Sequence, residues 1–172
     1  MRLMAGWPLP VVRGLGALLG VLLWLGAPRR RHIADVNLRL CFPSWGAAVR
    51  RRMVWRHFIA FGQAVVDRSW LWHGSPALLA RRLQLVGDVQ ALSSDVPTVA
   101  FAPHFVGLDA GGVALSFMTQ GAWSSIYVPQ NTPVLDQWVR QGRNRNGRNK
   151  LYFRHDGIKQ IVSDLRHGGK LY

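Results

Sequence analysis

The chain opens with a long apolar stretch. Residues 3–27 are apolar apart from Gly6, Pro8, Pro10 and Arg13, and residues 14–27 carry no charge. A helix needs about 20 apolar residues to span the hydrocarbon core, and an arginine near its end extends its guanidinium to the headgroups. The pattern predicts a membrane segment, either a spanning helix or an interfacial or re-entrant anchor. A buried core helix packed through its glycines is the alternative.

Basic residues follow this stretch immediately. Arg29, Arg30 and Arg31 are expected to stay on the cytoplasmic side, where positive residues flank membrane segments. Pro28 after Ala27 makes a poor processing site and so disfavours a cleaved signal peptide. We therefore assign residues 1–31 to an N-terminal membrane anchor with its basic flank.

A long helix is predicted next. Residues 42–44 form a turn with an N-cap, and apolar positions at helical spacing extend the helix over residues 45–72. Four arginines crowd its early turns: Arg50, Arg51, Arg52 and Arg56. A basic amphipathic helix with aromatic residues indicates a position at a membrane surface, but a core-packing helix with a solvated basic face explains the pattern equally well.

Strand and helix patterns alternate in the second half. Short apolar runs predict strands over residues 83–86, 97–101, 124–128 and 151–153. Helical signals predict helices over residues 107–119, 131–143 and 157–166. The fold class is α/β, a layered sheet flanked by helices. Residues 170–172 resemble the start of another strand, and ending there leaves a sheet edge unpaired, so we expect the chain to be truncated at its C-terminus.

The composition narrows the range of binding partners. The 172 residues carry a net charge of +14, from 22 Lys and Arg against 8 acidic residues. Nucleic acid, an anionic leaflet, phosphorylated lipids and an acidic carrier protein all suit that charge. The 8 Trp residues favour the membrane, because Trp prefers the headgroup level. Cys41 is the only cysteine, which excludes an internal disulfide and fits a reducing, cytoplasm-facing setting.

A histidine and a carboxylate lie just after the second predicted strand. His104 is placed on the loop, and Asp109 in the first turns of the following helix. A histidine can take a proton from an alcohol, and a carboxylate on its other nitrogen fixes the tautomer. Ligands of open α/β sheets gather at this carboxyl end of the strands. The spacing fits a catalytic pair, but on spacing alone two ordinary polar side chains are the favoured interpretation.

The surrounding residues resemble the lipid A biosynthesis acyltransferase family, within the glycerolipid acyltransferases that share an H-x-x-x-x-D/E motif. The resemblance covers most of the chain and lies in five blocks in order: residues 34–43 (ADVNLRLCFP), 61–63 (FGQ), 104–109 (HFVGLD), 131–136 (NTPVLD) and 142–145 (GRNR). Two departures are evident. Many members have Glu where this chain has Asp109, and the family continues past the position of Tyr172.

The resemblance implies a fold, a reaction and a location. The fold is a mixed sheet flanked by helices, like that of glycerol-3-phosphate acyltransferase, behind an N-terminal membrane-anchoring helix, with residues 32–172 as the catalytic domain. His104 would act as general base on a hydroxyl of a lipid A precursor, which attacks the thioester of an acyl carrier protein, and Asp109 would orient the imidazole. The location implied is the bacterial inner membrane, with the catalytic domain facing the cytoplasm.

No cofactor or metal ion is expected. A thioester needs no metal for activation, and no pair of histidines has the spacing of metal ligands. A basic run lies at residues 140–150, and Arg grips phosphate through two parallel hydrogen bonds. Arg143, which matches the first arginine of the family's Gly-Arg-x-Arg segment, is the first choice as substrate-binding residue, followed by Arg145 and Arg140. Arg148 and Lys150 are predicted to be solvated.

Two other readings stay open at this point. The first keeps the reaction and changes the acceptor to another glycolipid or phospholipid, because a general base acts on a hydroxyl whichever molecule carries it. The second is a non-catalytic basic protein that binds anionic lipid or nucleic acid. Aromatic residues near the basic run are too sparse for a single-strand nucleic-acid platform, so no nucleic-acid partner is expected.

Overall fold

A computed structural model describes residues 1–94, 96–119, 122–145, 149–155 and 157–172. Its contacts divide the chain into two units, Met1–Ser69 and Trp70–Tyr172. Each unit is described by itself below. The predicted boundary after residue 31 concerns the membrane anchor and stays a prediction.

The first unit is helical. After a short 3-10 turn at Arg2–Met4, helix α1 covers Leu9–Gly26, α2 covers Pro28–Cys41 and α3 covers Ala47–His73, the last of these running past the unit's end. Ala27 separates α1 from α2 with φ −121° and ψ 64°, because the residue before a proline is pushed out of helical geometry. An apolar helix in the predicted membrane segment (α1) and the long helix predicted over residues 45–72 (α3) are observed, and insertion of α1 into a membrane stays a prediction; α2 was not predicted.

Glycines bring α1 and α3 into backbone contact. A Cβ on Gly20 would lie 2.5 Å from the Phe58 carbonyl oxygen, and a Cβ on Gly62 would overlap the Gly16 carbonyl oxygen. The Trp24 and Trp55 rings then meet edge to face at 5.1 Å. This close crossing matches the packing role considered for the glycines of α1.

A polar contact joins the same two helices. Arg13 Nη1 donates to Asp67 Oδ2 at 3.0 Å, and its Nη2 donates to Gln63 Oε1 at 2.8 Å. Elsewhere α1 exposes apolar side chains, namely those of Leu15, Leu18, Leu22 and Leu25. By length and composition, α1 is able to cross a membrane, with a mean hydropathy of 1.8 over 18 residues.

The second unit alternates helices and strands. Its elements are α4 (Pro76–Arg82), α5 (Val89–Ser93), β1 (Thr98–Val99), α6 (Leu108–Met118), β2 (Trp123–Tyr127), α7 (Pro133–Arg143), β3 (Lys150–Phe153), α8 (Ile158–Arg166) and β4 (Lys170–Leu171). The described strands form one sheet in the order β1-β4-β2-β3, and every described pairing is parallel. The α/β fold class is therefore confirmed.

One predicted strand is wrong. Residues 83–86 form neither helix nor strand in the structure. The Leu83 N–H bonds to the Leu79 carbonyl and closes α4, and Gly87, at φ +116°, then turns the chain into α5. The run is part of the short connection between α4 and α5, and it pairs with none of the described strands.

The sheet core is built on β2 and β3. Trp123 and Tyr127 of β2 and Tyr152 of β3 are buried, together with Val113 of α6 and Ile161 of α8. β4 lies between β1 and β2, so the last residues of the chain complete the middle of the sheet. The Tyr172 N–H extends this pairing with a 2.8 Å bond to the Ser124 carbonyl.

Candidate functional site

The loop between β1 and α6 carries the predicted base. His104 lies on this loop and is exposed, whereas Asp109 lies in the first turn of α6. Gly107 starts the helix at φ +100°, a left-handed conformation that glycine adopts without the steric cost other residues pay. The loop and helix placement predicted for the two residues is thus observed.

A cavity of about 140 Å³ lies beside this loop. His104, Asp109 and Arg143 line it together with apolar side chains of α6, β2 and β3. Those apolar side chains are Leu108, Val113, Leu115, Trp123, Ile126 and Leu151. The cavity lining therefore includes a base, a carboxylate and a cation, while much of the rest suits hydrocarbon.

Asp109 forms an ion pair with Arg143. Arg143 Nε donates to Asp109 Oδ1 at 2.9 Å, and the two side chains are 29% and 12% exposed. The guanidinium lies 5.6 Å from the centre of the Tyr127 ring. Asn149 Nδ2 donates to the Arg143 carbonyl at 2.6 Å and fixes the backbone at the end of α7.

The structure therefore brings Arg143 to the carboxylate, an approach that sequence reasoning missed. His104 lines the same cavity, and its hydrogen bond to Asp109 stays a prediction. A carboxylate has two oxygens and accepts several hydrogen bonds, so the ion pair and the predicted bond are compatible.

Tyr172 is a cavity residue that sequence reasoning did not single out. Its hydroxyl donates to the Leu108 carbonyl at 2.8 Å, and its ring packs against Gly112. Burial raises the pKa of Tyr172 above its ordinary value, and the Asp109 carboxylate raises it further. Its side chain is thus a neutral hydrogen-bonding group at neutral pH. No local motif marks this residue, because its partners come from a distant helix.

Arg145 is held by main-chain carbonyls. Its Nη1 and Nη2 donate to the carbonyls of Leu71 and Gly74, both at 2.6 Å. Burial lowers the pKa of Arg145 from its ordinary value. The neighbouring Gly142 lacks room for a side chain, since a Cβ would overlap the Trp72 ring. This arrangement ties residues 142–145 to the last turn of α3 and to Gly74, which follows it.

Arg140 is half exposed and lies over the Phe153 ring at 5.1 Å. Its guanidinium is 4.0 Å from Asp136, whose Oδ1 accepts hydrogen bonds from the Tyr127 hydroxyl at 2.6 Å and the Gln130 N–H at 2.7 Å. The Tyr127 bond is the main cause that lowers the pKa of Asp136.

The three predicted arginines thus differ in position. Arg143 lines the cavity, while Arg140 and Arg145, both in the described part of the chain, are not part of its wall. Their predicted binding role stays a prediction. Lys150, predicted to be solvated, is exposed and pairs with Asp164 at 2.5 Å. Arg148 lies outside the described residues. Within those residues, no three His, Cys, Asp or Glu side chains lie together as a metal site.

Comparison with known proteins gives a consistent result. The profile of the family described as bacterial lipid A biosynthesis acyltransferase matches residues 1–172. The chain is 31% identical over 166 residues to the lipid A biosynthesis lauroyltransferase of Escherichia coli. The aligned region covers 94% of this chain and 52% of that protein. A lipid A biosynthesis acyltransferase of Haemophilus influenzae is 30% identical over 152 residues, or 85% of this chain and 47% of the relative.

A third relative is the lipid A biosynthesis palmitoleoyltransferase of Escherichia coli, 29% identical over 170 residues, or 94% of this chain and 52% of the relative. The two Escherichia coli relatives differ in the acyl group that their names give, while all three are named for lipid A biosynthesis. The chain spans about half the length of the curated relatives that it matches.

Proposed function

Because the chain belongs to the bacterial lipid A biosynthesis acyltransferase family, we propose that its cavity is where a fatty acyl chain passes from acyl carrier protein to a hydroxyl of a lipid A precursor. The observation that carries the proposal is the cavity whose lining contains His104, Asp109 and Arg143 as well as apolar side chains. A base is required to activate a hydroxyl, and an apolar lining suits an acyl chain.

His104 is the general base. Its imidazole takes the proton of the acceptor hydroxyl as the oxygen attacks the thioester carbonyl carbon. The ester C–O bond forms, the C–S bond breaks, and the proton passes from the imidazolium to the leaving thiolate of the carrier. His104 is exposed on its loop, which leaves the imidazole accessible to a large acceptor.

Asp109 and Arg143 assist the base. Asp109 orients the imidazole and stabilises its charged form, as carboxylates do for catalytic histidines. Arg143 fixes Asp109 through the 2.9 Å bond from its Nε. A guanidinium carries further N–H donors in a planar fork, which suits a phosphate of the acceptor or the phosphopantetheine arm of the carrier. Arg145 supports this by holding the segment that follows Arg143.

The proposed location is the bacterial inner membrane, with the predicted catalytic domain, residues 32–172, facing the cytoplasm. Residues 1–31 form the anchor, since α1 combines an exposed leucine face with a length that suits a bilayer. Arg29 and Arg30 at the start of α2 are exposed and follow the apolar helix directly, which favours the cytoplasmic side for them.

Acyl transfer by the complete protein tests the proposal. With acyl carrier protein thioester and lipid A precursor as substrates, His104→Ala should lower the rate by about 10² to 10⁴, the usual contribution of general base catalysis. His155→Ala is the matched control, because His155 is also exposed but is not part of the cavity wall. An undiminished rate for the His104 variant refutes the assignment of the base, whereas no acyl transfer by the wild type would favour a non-catalytic lipid-binding protein.

The acceptor needs a separate measurement. Mass spectrometry of lipid A from cells with and without the gene should show one acyl chain fewer when the gene is absent. An unchanged lipid A pattern, together with a change in another glycolipid or phospholipid, would replace the proposed acceptor and keep the reaction.

A further inference from the structure

Large apolar side chains are exposed at the edge of the sheet where the strands end. The strands are parallel, so their carboxyl ends share one edge. Phe101 and Phe105 lie on the loop after β1, on either side of His104, and are 91% and 75% exposed. Val128, also exposed, follows β2, and Ile158, 71% exposed, begins the helix that follows β3. Each of the three strand ends thus presents an apolar side chain to solvent.

Single exposed apolar side chains are common on folded proteins, but several at one edge mark a contact surface. The helix after β2 adds two more, because Val134 and Leu135 lie in its first turn and are exposed. We call this set of strand-end side chains the apolar edge. Phe101 is its most exposed member, and Phe101 and Phe105 lie on the loop that carries the proposed base.

The charged groups at this edge are mainly cationic. Arg154 and Lys159, both after β3, are exposed. Among the described residues here, the carboxylates of Asp109 and Asp136 are mostly buried and engaged with Arg143 and the Tyr127 hydroxyl. The exposed surface therefore combines apolar side chains with positive charge.

We propose that the apolar edge docks on an anionic phospholipid surface, with Phe101 and Phe105 inserted at the boundary between headgroups and acyl chains. Apolar side chains flanked by cations are typical of interfacial binding, in which the apolar face enters about 5–10 Å. The net charge of +14 adds attraction to anionic lipids. A second copy fits less well, because it would place like charges opposite each other.

This inference rests on the proposed function and adds an orientation to it. His104 lies between the two phenylalanines in the sequence, so their insertion brings the base to the level of the headgroups. A lipid-borne hydroxyl then reaches the imidazole without leaving the bilayer. The docking surface belongs to the second unit and is distinct from α1, which is proposed to anchor the chain.

Site-specific labelling tests the docking. Cys41→Ser removes the single native cysteine, and Phe105→Cys or Ile158→Cys then introduces one site at the edge for an environment-sensitive nitrobenzoxadiazole label. Val86→Cys is the matched control, because Val86 is similarly exposed but precedes the sheet. The labelled full chain is added to vesicles of phosphatidylethanolamine and phosphatidylglycerol that contain doxyl-labelled lipid.

The labels at residues 105 and 158 should shift to shorter emission wavelengths and be quenched by doxyl lipid several-fold more than the label at residue 86. Labels at the edge that remain as accessible to aqueous iodide as the control would overturn the proposal. Shielding that depends on protein concentration and not on vesicles would indicate a second copy and overturn it equally.

The two proposals fail in distinguishable ways. Insertion is read from the labels and needs no turnover, whereas acyl transfer is measured on detergent-dispersed substrates and needs no bilayer. Acyl transfer that depends on His104, without insertion of either label, refutes the docking alone. Insertion without acyl transfer by the complete protein refutes the proposed reaction and leaves a lipid-binding edge.

Discussion

Arg143 Nε donates to Asp109 Oδ1 at 2.9 Å and so joins the last residue of α7 to the first turn of α6. The residues are 34 positions apart in the chain and line the same cavity as His104. Because the pair is partly buried, removal of one partner leaves a charge that water solvates incompletely. The ion pair therefore supports both the shape of the cavity and the position of the carboxylate.

The first prediction concerns this pair. Asp109→Asn and Arg143→Ala should each lower the free energy of unfolding by about 1–3 kcal/mol, the usual cost of losing a hydrogen bond to a charged group. The double variant should lose less than the sum, with a coupling of about 0.5–3 kcal/mol. Denaturant unfolding of the wild type, the two single variants and the double variant in detergent measures this double-mutant cycle. Strictly additive losses would show that the pair does not form in solution.

The second prediction compares two arginines of one basic run. Arg145→Ala should lower the free energy of unfolding by about 1.5–3 kcal/mol, because it removes two charge-assisted bonds to the Leu71 and Gly74 carbonyls. Arg140→Ala should change it by about 0–1 kcal/mol, since its 4.0 Å pair is exposed. Thermal unfolding followed by circular dichroism decides the order, and equal losses contradict the assignment.

The third prediction concerns the crossing of α1 and α3. Gly20→Ala should destabilise the crossing by about 1–3 kcal/mol, because its Cβ would lie 2.5 Å from the Phe58 carbonyl oxygen. Gly14→Ala is the control within the same helix, since nothing lies within 4 Å of its Cβ. The free energy of unfolding of that control should rise by about 0.5–1 kcal/mol, because alanine has a higher helix propensity than glycine.

Protease resistance of the detergent-solubilised protein measures this difference. The Gly20 variant should be cleaved at lower protease concentration than the wild type, and the Gly14 variant at an equal or higher one. If both variants behave alike, the two helices do not meet at these glycines.

The fourth prediction concerns pH. Hydrogen bonds from Tyr127 and Gln130 lower the pKa of Asp136 below its ordinary value of 3.8. A lowered pKa means that the ionised carboxylate stabilises the folded state. This stabilisation is complete at pH values above the ordinary pKa and is lost progressively as the pH falls through the pKa of the folded state. The wild type should therefore exceed Asp136→Asn in stability at neutral pH, and this gap should narrow in acid.

Unfolding midpoints of the two proteins from neutral pH down to acid measure the gap. Tyr127→Phe should reduce the pH dependence, because the Tyr127 hydroxyl is the largest cause of the shift. A gap that stays constant through the acid range would show that the Asp136 carboxylate is not perturbed.

Local sequence patterns were sufficient for the elements that carry strong local signals. The uncharged apolar run predicted α1, and helical spacing of apolar residues predicted α3 within about two residues. Alternating strand and helix signals predicted the α/β class and the positions of His104 on a loop and Asp109 in a first turn. Weakly patterned helices were missed, namely α2, α4 and α5.

The failed strand shows why local patterns are limited. Residues 83–86 have a strand-like composition, but a strand needs a neighbour to receive its backbone hydrogen bonds, and here α4 and α5 leave only a short connection. The sequence also predicted three phosphate-binding arginines, with Arg143 ranked first, but it did not indicate the contacts that each one makes. The tertiary structure places Arg143 in the cavity wall, Arg145 against main-chain carbonyls and Arg140 over Phe153.

The sequence by itself determined the apolar helix, the α/β alternation and the residues available for proton transfer, because each depends on neighbours within one or two turns of chain. Only the tertiary structure decided that Arg143 reaches Asp109 and that Tyr172 closes on Leu108. Those contacts depend on the sheet order, in which β4 enters between β1 and β2. Such an order is set by the packing of distant segments, and no local pattern encodes it.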